Sequence, residues 1–314
     1  MSGILCLFMS LSFLQNIINS IDSLDSIAVQ LIRFTNNKKG TAYFSREIEI
    51  NPENDLIEYI NGLREKYLDV LLSADCVDEY NGDLVKGRIY KLSVTDSLVK
   101  ESYNKLNSAI IDPSCEGKAV LEGKWNALLI KVDILVDGEK KELKLFSIKS
   151  PITVLKNKYF WDKDQFKKFS SPLLTLNNNL DVVIINDNIY MFTMQAENLF
   201  NLERSYKSLC AAKVDEISNI GILSDVKAFK DVALIGQNPR RFVSFNQKRL
   251  DVLSDHKLRD KYMTMFNIPL NKEGLIDTKT NIASERLIKY LCNKGMLDPI
   301  DECPREVAGA KAWS

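Results

Sequence analysis

Residues 127–148 read ALLIKVDILV-DG-EKKELKLFSI, and this stretch decides the fold class. Apolar side chains occupy every second position of its first ten residues, which places one face of a strand in a core. The dipeptide Asp137-Gly138 follows, and it favours a two-residue hairpin turn because both positions tolerate a positive φ. We therefore predict two antiparallel strands, at residues 127–136 and 140–148.

Other hairpins and helices flank this pair. The same reasoning predicts strands at 27–35 with 41–50 and at 181–185 with 189–193, and helices at 14–24, 52–71, 196–217 and 283–293, the last ending at Gly295. Strands followed by helices indicate an α+β fold, with antiparallel hairpin sheets packed against a long helix and a helical C-terminal region. We divide the chain into an N-terminal α/β module (1–120), a central core of two hairpins and the long helix (121–255), and a helical region (256–314).

Composition narrows the classes of function. The chain has 314 residues with 42 basic and 42 acidic side chains, so any contact with a polyanion has to be confined to one face. Six scattered cysteines, no Cys-x-x-Cys pair and a single histidine argue against structural zinc and indicate the reduced thiols of a cytosolic protein. No apolar run approaches the roughly 20 residues that cross a bilayer. We expect no metal, no cofactor and no transmembrane segment.

Charge is distributed unevenly along the chain. Residues 139–169 contain nine lysines against four carboxylates, and residues 240–261 contain seven bases against three acids. Residues 51–80 have the opposite balance, with eight acids and two bases. Aromatic residues run through the first basic segment: Phe146, Tyr159, Phe160, Trp161, Phe166 and Phe169. Lysines that release counterions and rings that stack on bases are typical of a nucleic-acid surface.

We predict sequence-independent binding of duplex DNA by these cations, without chemistry by this chain. The predicted phosphate contacts are Lys144, Lys149, Lys156, Lys158, Lys167, Lys168, Arg240, Arg241 and Arg249. Two alternatives remain open at this point. Exposed lysines often only keep a protein soluble, and the same basic surface would also suit a scaffold that docks on a protein or on anionic lipid.

One enzymatic alternative remains as well. Metal-dependent nucleases of the restriction type combine an acidic residue on one strand with Glu-x-Lys on the next. Asp133 or Asp137 with Glu142 and Lys144 fits that pattern on the hairpin. The same tripeptide pattern occurs at 116–118 and 122–124, as chance predicts in a chain rich in Lys and Glu, so the match has little specificity.

A longer pattern begins after the central hairpin. Its parts are LTL (174–176), LDVVIIN (180–186), IYMF (189–192), ENLFNLERSYK (197–207) and NPRRF (238–242), followed by Arg249-Leu250. This block resembles the KwaB family, the soluble component of the Kiwa anti-phage defence system, over roughly residues 125–253.

The resemblance implies a DNA-binding homodimer that works with a KwaA-like inner-membrane protein against injected phage genomes. It therefore implies a cytoplasmic chain, peripheral at the inner membrane through that partner. The family offers no catalytic residues to transfer. The charged residues that fall on its pattern are Glu203, Arg204, Lys207, Arg240, Arg241 and Arg249, and we add Arg204 and Lys207 to the DNA-binding set. For Glu203 and Arg204, a buried ion pair that fixes the long helix is an equal alternative.

Overall fold

A computed structural model describes residues 26–37, 40–50, 53–73, 77–82, 88–111, 124–136, 138–153, 159–163, 165–168, 173–176, 179–297 and 304–306. The predicted helix at 14–24 lies outside these residues. The chain forms two compact units, the first made of Met1–Glu79 with Leu84–Asn201 and the second of Tyr80–Asp83 with Leu202–Ser314. The three-part division at residues 120 and 255 stays a prediction.

A large mixed sheet forms the first unit. Its strands and the smaller ribbons are β1 (Ser26–Asn37), β2 (Gly40–Ile48), β3 (Val77–Glu79), β4 (Ile89–Ser93), β5 (Ile110–Ile111), β6 (Ala127–Val136), β7 (Glu139–Ser147), β8 (Ile152–Thr153), β9 (Tyr159–Asp162), β10 (Gln165–Lys168), β11 (Leu173–Leu174), β12 (Val182–Ile185) and β13 (Asn188–Met191). Among the described residues, nine strands pair in the order β3-β4-β13-β12-β7-β6-β1-β2-β5. The inner pairs are antiparallel, whereas the edge pairs β2–β5 and β3–β4 are parallel. The predicted α+β class with an antiparallel hairpin sheet is confirmed.

The central hairpin has the predicted register. Strands β6 and β7 pair from Leu128 opposite Ser147 to Val136 opposite Glu139. Gly138 in the turn has φ +81°, a conformation that glycine adopts without a steric cost, and Asp137 lies outside the described residues. Period-two alternation together with a turn dipeptide was therefore sufficient to predict this pair.

A core cluster lies between one face of the sheet and helix α1 (Glu53–Ser73). Leu56, Ile60 and Leu63, one helical turn apart, pack against the alternating side chains of β6, among them Ile130 and Val132. All five are at most 5% exposed. This periodic match between helix and strand fixes the orientation of the hairpin that carries the predicted site.

The predicted long helix at 196–217 is interrupted. The first unit contains the short helices α2 (Lys100–Asn107) and α3 (Gln195–Phe200). A separate helix, α4 (Leu202–Asn219), begins the main part of the second unit. Asn201 adopts left-handed φ 52° and ψ 44°, which ends α3. The single-helix prediction was wrong because asparagine tolerates this conformation and the apolar periodicity continues through it.

The second unit is mainly helical, as predicted. After α4 it contains α5 (Val226–Ala233), α6 (Asn238–Arg241), a 3₁₀ turn (Phe242–Ser244), α7 (Gln247–Ser254), α8 (His256–Met265), α9 (Asn281–Leu291) and a ribbon of β14 (Gly295–Leu297) and β15 (Pro304–Glu306). Side-chain oxygens of Asp225, Asn246, Asp255 and Thr280 accept hydrogen bonds from backbone N–H groups in the first turns of α5, α7, α8 and α9. Phe229, Leu250 and Leu287 are fully buried in the core between these helices.

Helix α9 ends differently from the prediction. Asn293, with φ 56°, takes the left-handed position that we had assigned to Gly295. Backbone N–H groups of Lys294 and Asn293 donate to the carbonyls of Lys289 and Tyr290 at 2.8 and 3.4 Å, which is a Schellman ending. Gly295 instead begins β14, so the chain turns directly from the helix into the ribbon.

Candidate nucleic-acid interface

Lysines of the β6–β7 hairpin pair with carboxylates. Lys140 lies 3.1 Å from Asp133 and Lys144 lies 3.1 Å from Glu142. A third lysine, Lys141, lies 3.5 Å from Glu139. Part of the positive charge predicted for this segment is therefore neutralised within the hairpin.

Lys144 is also engaged by helix α2. Its ammonium donates to Asn107 Oδ1 at 3.1 Å and lies 5.9 Å from the centre of the Tyr103 ring. Its side chain is 16% exposed. Leaving these neighbours for a phosphate would cost Lys144 a hydrogen bond and an ion pair, so its predicted DNA contact has less support than that of an exposed lysine.

The β9–β10 ribbon presents a different arrangement. It pairs Lys167 with Phe160 and Lys168 with Tyr159 in antiparallel register, and Lys163 occupies the turn with φ 44°. Lys163 and Lys167 are exposed. In this register the backbone positions of two lysines lie directly opposite those of two aromatic residues.

Nearby in sequence, Lys149 is exposed just after β7. Among the described residues, neither Lys149 nor Lys163 has an ion-pair partner. Lys156 and Lys158 lie outside the described residues. The prediction that Phe146 belongs to the aromatic surface was wrong: this ring is 1% exposed and lies in the core.

In the second unit, Glu203 and Lys207 form a surface pair. The two residues are one helical turn apart on α4, and Lys207 Nζ lies 2.6 Å from Glu203 Oε1. The side chain of Lys207 is 56% exposed and that of Glu203 is 79% exposed. The alternative of a buried ion pair at Glu203 was therefore wrong. Arg204 beside it is half-buried.

The three arginines predicted in the second unit lie against protein groups. Arg240 sits with its guanidinium carbon 5.9 Å from the centre of the Tyr206 ring, and Arg241 donates to Asn238 Oδ1 at 2.7 Å. Arg249 donates to main-chain carbonyls of α9 and β14. Sequence cannot show such partners, because the carbonyls and rings come from distant positions. The DNA contacts of these arginines stay predictions.

Part of the residue pattern proposed for a nuclease is present on the β6–β7 hairpin. Asp133 lies directly opposite Glu142 on the hairpin, and Lys144 follows two residues later on the same side of the sheet. Hydrogen bonds to Asp133 from the Ser26 hydroxyl at 2.7 Å and from Lys140 lower the pKa of its carboxyl group. The described residues contain no group of three or more His, Cys, Asp or Glu side chains that could hold a metal ion. Asp137 lies outside the described residues.

The sequence analysis did not include Lys163 among the predicted contacts. Its signal was present, because Asp162-Lys163-Asp164 separates two short aromatic and basic runs as a turn would. Asp162 and Asp164 on either side cancel the charge of Lys163 when charges are counted over the segment, which hid this signal.

A family model matches the part of the chain that contains this hairpin and this ribbon. The family model described as "Kiwa protein KwaB-like" matches residues 126–296, more than half of the chain. No curated protein and no solved structure matches the chain. The match begins just before β6 and ends within β14, so it includes the central hairpin, the β9–β10 ribbon and most of the second unit.

Proposed function

The chain belongs to the Kiwa KwaB-like family, and from this premise we propose that it acts in anti-phage defence by binding duplex DNA without sequence specificity. The cations of the β9–β10 ribbon, Lys163, Lys167 and Lys168, together with Lys149, make the phosphate contacts. The chain performs no chemistry on the DNA.

The observation that carries this proposal is the register of the ribbon. Lys167 stands opposite Phe160 and Lys168 opposite Tyr159, in a two-stranded element with a third lysine at its turn. A two-stranded ribbon is narrow enough to enter the major groove of B-DNA. Lysines attract phosphates as point charges and confer no base preference, so binding of this kind is independent of sequence.

Salt dependence tests the contacts one by one. Affinity for a random-sequence duplex is measured by fluorescence anisotropy over a range of salt concentrations, for the full chain and for Lys149→Ala, Lys163→Ala and Lys167→Ala. Each substitution is expected to reduce the log–log slope by about 0.9, the contribution of one phosphate contact.

Lys105→Ala is the matched control. This exposed lysine pairs with Glu101 at 2.7 Å on α2 and carries the same charge. Its replacement is expected to leave the slope unchanged. If Lys149→Ala, Lys163→Ala and Lys167→Ala all kept the wild-type slope, these lysines would not contact the DNA. Binding to anionic vesicles and not to DNA would favour the docking scaffold.

The partners in this proposal rest on the family resemblance. Among the described helices, none combines the length and the apolar character that a membrane crossing requires. We propose that a KwaA-like inner-membrane protein brings the chain to the membrane and that the chain itself is a homodimer. Co-purification of the two proteins from detergent-extracted membranes tests the first point, and light scattering on the purified chain tests the second. A chain that stays monomeric at micromolar concentration would contradict the dimer.

A metal-dependent nuclease is the second candidate, because Asp133 and Glu142 stand opposite each other with Lys144 two residues further along. Plasmid DNA is incubated with the chain and Mg²⁺ or Mn²⁺, and Glu142→Gln serves as the comparison. Cleavage by the wild type that Glu142→Gln abolishes would establish this candidate. Intact plasmid under both metals would eliminate it.

A further inference from the structure

A small space lies between helix α1 and the sheet of the first unit. The centre of a water-sized sphere can occupy about 10 Å³ of it, which is room for one water molecule and for no larger ligand. Most of the lining is buried, and the following residues are each at most 6% exposed: Leu63, Leu128, Ile130, Leu145, Ser147 and Leu180. Asn179 also belongs to the lining and is exposed, which places its part of the space nearest to solvent.

Ser147 brings a buried hydroxyl to this space. Successive side chains of a strand alternate between the two faces of a sheet, so Ser147 lies on the same face as Leu143 and Leu145, which pack in the core beneath α1. Its oxygen is shielded from solvent and has no hydrogen-bond partner among the described residues. A buried hydroxyl without a partner costs free energy of folding, and native proteins contain few of them.

Two other polar residues contribute to the lining. Tyr59 comes from α1, and Asn179 precedes the buried Leu180. The side-chain oxygen of Asn179 accepts a hydrogen bond from Lys66 Nζ at 3.2 Å. The amide nitrogen of the same side chain carries two N–H donors, and a tyrosine hydroxyl can both donate and accept. A buried water makes roughly two to four hydrogen bonds, and the residues around this space carry enough polar groups to supply them.

The composition of the lining limits what else could occupy the space. Most of its residues are apolar and nearly fully buried, so an ion would lose its hydration there without gaining a counter-charge. Purely apolar cavities stay dry, but a dry space at this position would leave the Ser147 hydroxyl without a partner. A neutral molecule that both donates and accepts hydrogen bonds fits the size and the chemistry of the lining.

We propose that this space binds one ordered water molecule. The water accepts a hydrogen bond from the Ser147 hydroxyl and bridges the end of β7 to Tyr59 of α1 and to Asn179. Such a bridge satisfies the buried hydroxyl and joins three segments that are far apart in the sequence. The site is independent of the proposed DNA contacts, because none of its residues is among the cations assigned to phosphate.

A high-resolution crystal structure of the full chain tests the site directly. A density peak is expected about 2.8 Å from Ser147 Oγ, the distance of an O–H···O hydrogen bond. Magnetic relaxation dispersion counts long-lived bound waters in solution, and Ser147→Val, which fills space and removes the hydroxyl, is expected to lose one of them. Ser45→Ala is the matched control. The Ser45 hydroxyl already donates to the Ala109 carbonyl at 3.2 Å, so its removal is expected to leave the water count unchanged.

Stability separates a bound water from a dry space. With the water bound, Ser147→Ala removes one of its partners and is expected to lower the urea midpoint of unfolding. In a dry space the same substitution would remove an unsatisfied hydroxyl and raise the midpoint. A map without density beside Ser147 Oγ, an unchanged water count in Ser147→Val, or a raised or unchanged midpoint in Ser147→Ala would each overturn the proposal. Should Ser147→Val fail to fold, the crystallographic result on the wild-type chain still decides it.

Discussion

The guanidinium of Arg249 donates from Nη1 to the main-chain oxygen of Tyr290 at 2.5 Å and lies over the ring of the same residue, 5.1 Å from its centre. A second bond from the same nitrogen reaches the carbonyl of Gly295 at 3.2 Å. The positive charge thus lies at the C-terminal end of α9, where the helix dipole favours a cation. An arginine that the sequence assigned to phosphate contact also holds three elements of the second unit together.

Replacement of Arg249 is expected to destabilise the chain. Arg249→Ala removes the charged donor from the Tyr290 and Gly295 carbonyls, and loss of such a charge-assisted bond costs about 1.5–3 kcal/mol. Urea unfolding measures the change. Lys248→Ala, an exposed neighbour on α7, is the control and is expected to stay within about 0.5 kcal/mol of the wild type. Equal midpoints for the two variants would show that Arg249 contributes little to stability.

Asp181 is expected to be a structural residue of the sheet. It is 5% exposed and accepts hydrogen bonds from the backbone N–H of Ile148 at 2.6 Å and from the hydroxyl of Thr193. Asp181→Ala removes the charged acceptor of the half-buried Ile148 N–H, and loss of such a bond costs about 1.5–3 kcal/mol in the free energy of unfolding. Chemical denaturation compares it with Asp187→Ala, an exposed aspartate in the β12–β13 turn, which is expected to have little effect. A smaller loss for Asp181→Ala than for Asp187→Ala would contradict this role.

Buried thiols predict a dependence of stability on pH. Burial raises the pKa of the Cys210 thiol to about 12. Burial also raises the pKa of the Cys292 thiol, although the positive charges of Lys294, Arg241 and Arg249 act to lower it. An unfolded thiol titrates near 8.5. Because the folded chain disfavours the thiolate, this contribution to stability is fully present below about pH 8.5 and is lost as pH rises towards 12.

Two measurements follow from the thiols. Alkylation mapped by mass spectrometry at pH 8 is expected to leave both cysteines unlabelled in the native chain and to label them in urea. The urea midpoint is expected to fall between pH 8 and pH 10, and Cys210→Ala is expected to reduce that fall. Rapid native labelling at either position would show that the thiol is accessible.

The left-handed residue between α3 and α4, Asn201, is expected to respond differently to two substitutions. Asn201 has left-handed φ 52°, where a β-branched side chain is strained. Asn201→Val is therefore expected to lose about 1–2 kcal/mol, whereas Asn201→Gly stays close to the wild type because glycine has no Cβ. Thermal unfolding of the two variants distinguishes them. Similar losses for both would indicate that the side-chain contacts of Asn201, and not its backbone, determine its effect.

Sequence was informative where neighbours along the chain determine structure. The alternation from Leu128 to Ile134 and the glycine at 138 predicted the hairpin and its register. It was misleading at Asn201, since one left-handed residue ends a helix without disturbing the apolar pattern. For the site, the sequence identified which cations are present but not which carboxylates they meet, as Lys140 with Asp133 shows.

The side chains that line the hollow between α9 and the β14–β15 ribbon had no joint signal in the sequence. Arg286 and Lys289 share a helix face and could be paired by periodicity, but Arg305 joins them only because β15 pairs with β14. That pairing depends on the turn at Asn293, which the sequence analysis assigned to Gly295. Groups from separate elements come together through tertiary pairing, and this information is not local.

The outermost strands of the large sheet are short: β3 has three residues and β5 has two. At one end of the sheet β3 offers a template of only three residues, whereas at the other end β5 covers only two positions of the nine-residue β2. Stacking of one sheet beside the next is therefore limited at the β3 edge, and at the opposite edge it would have to use the part of β2 that β5 leaves uncovered.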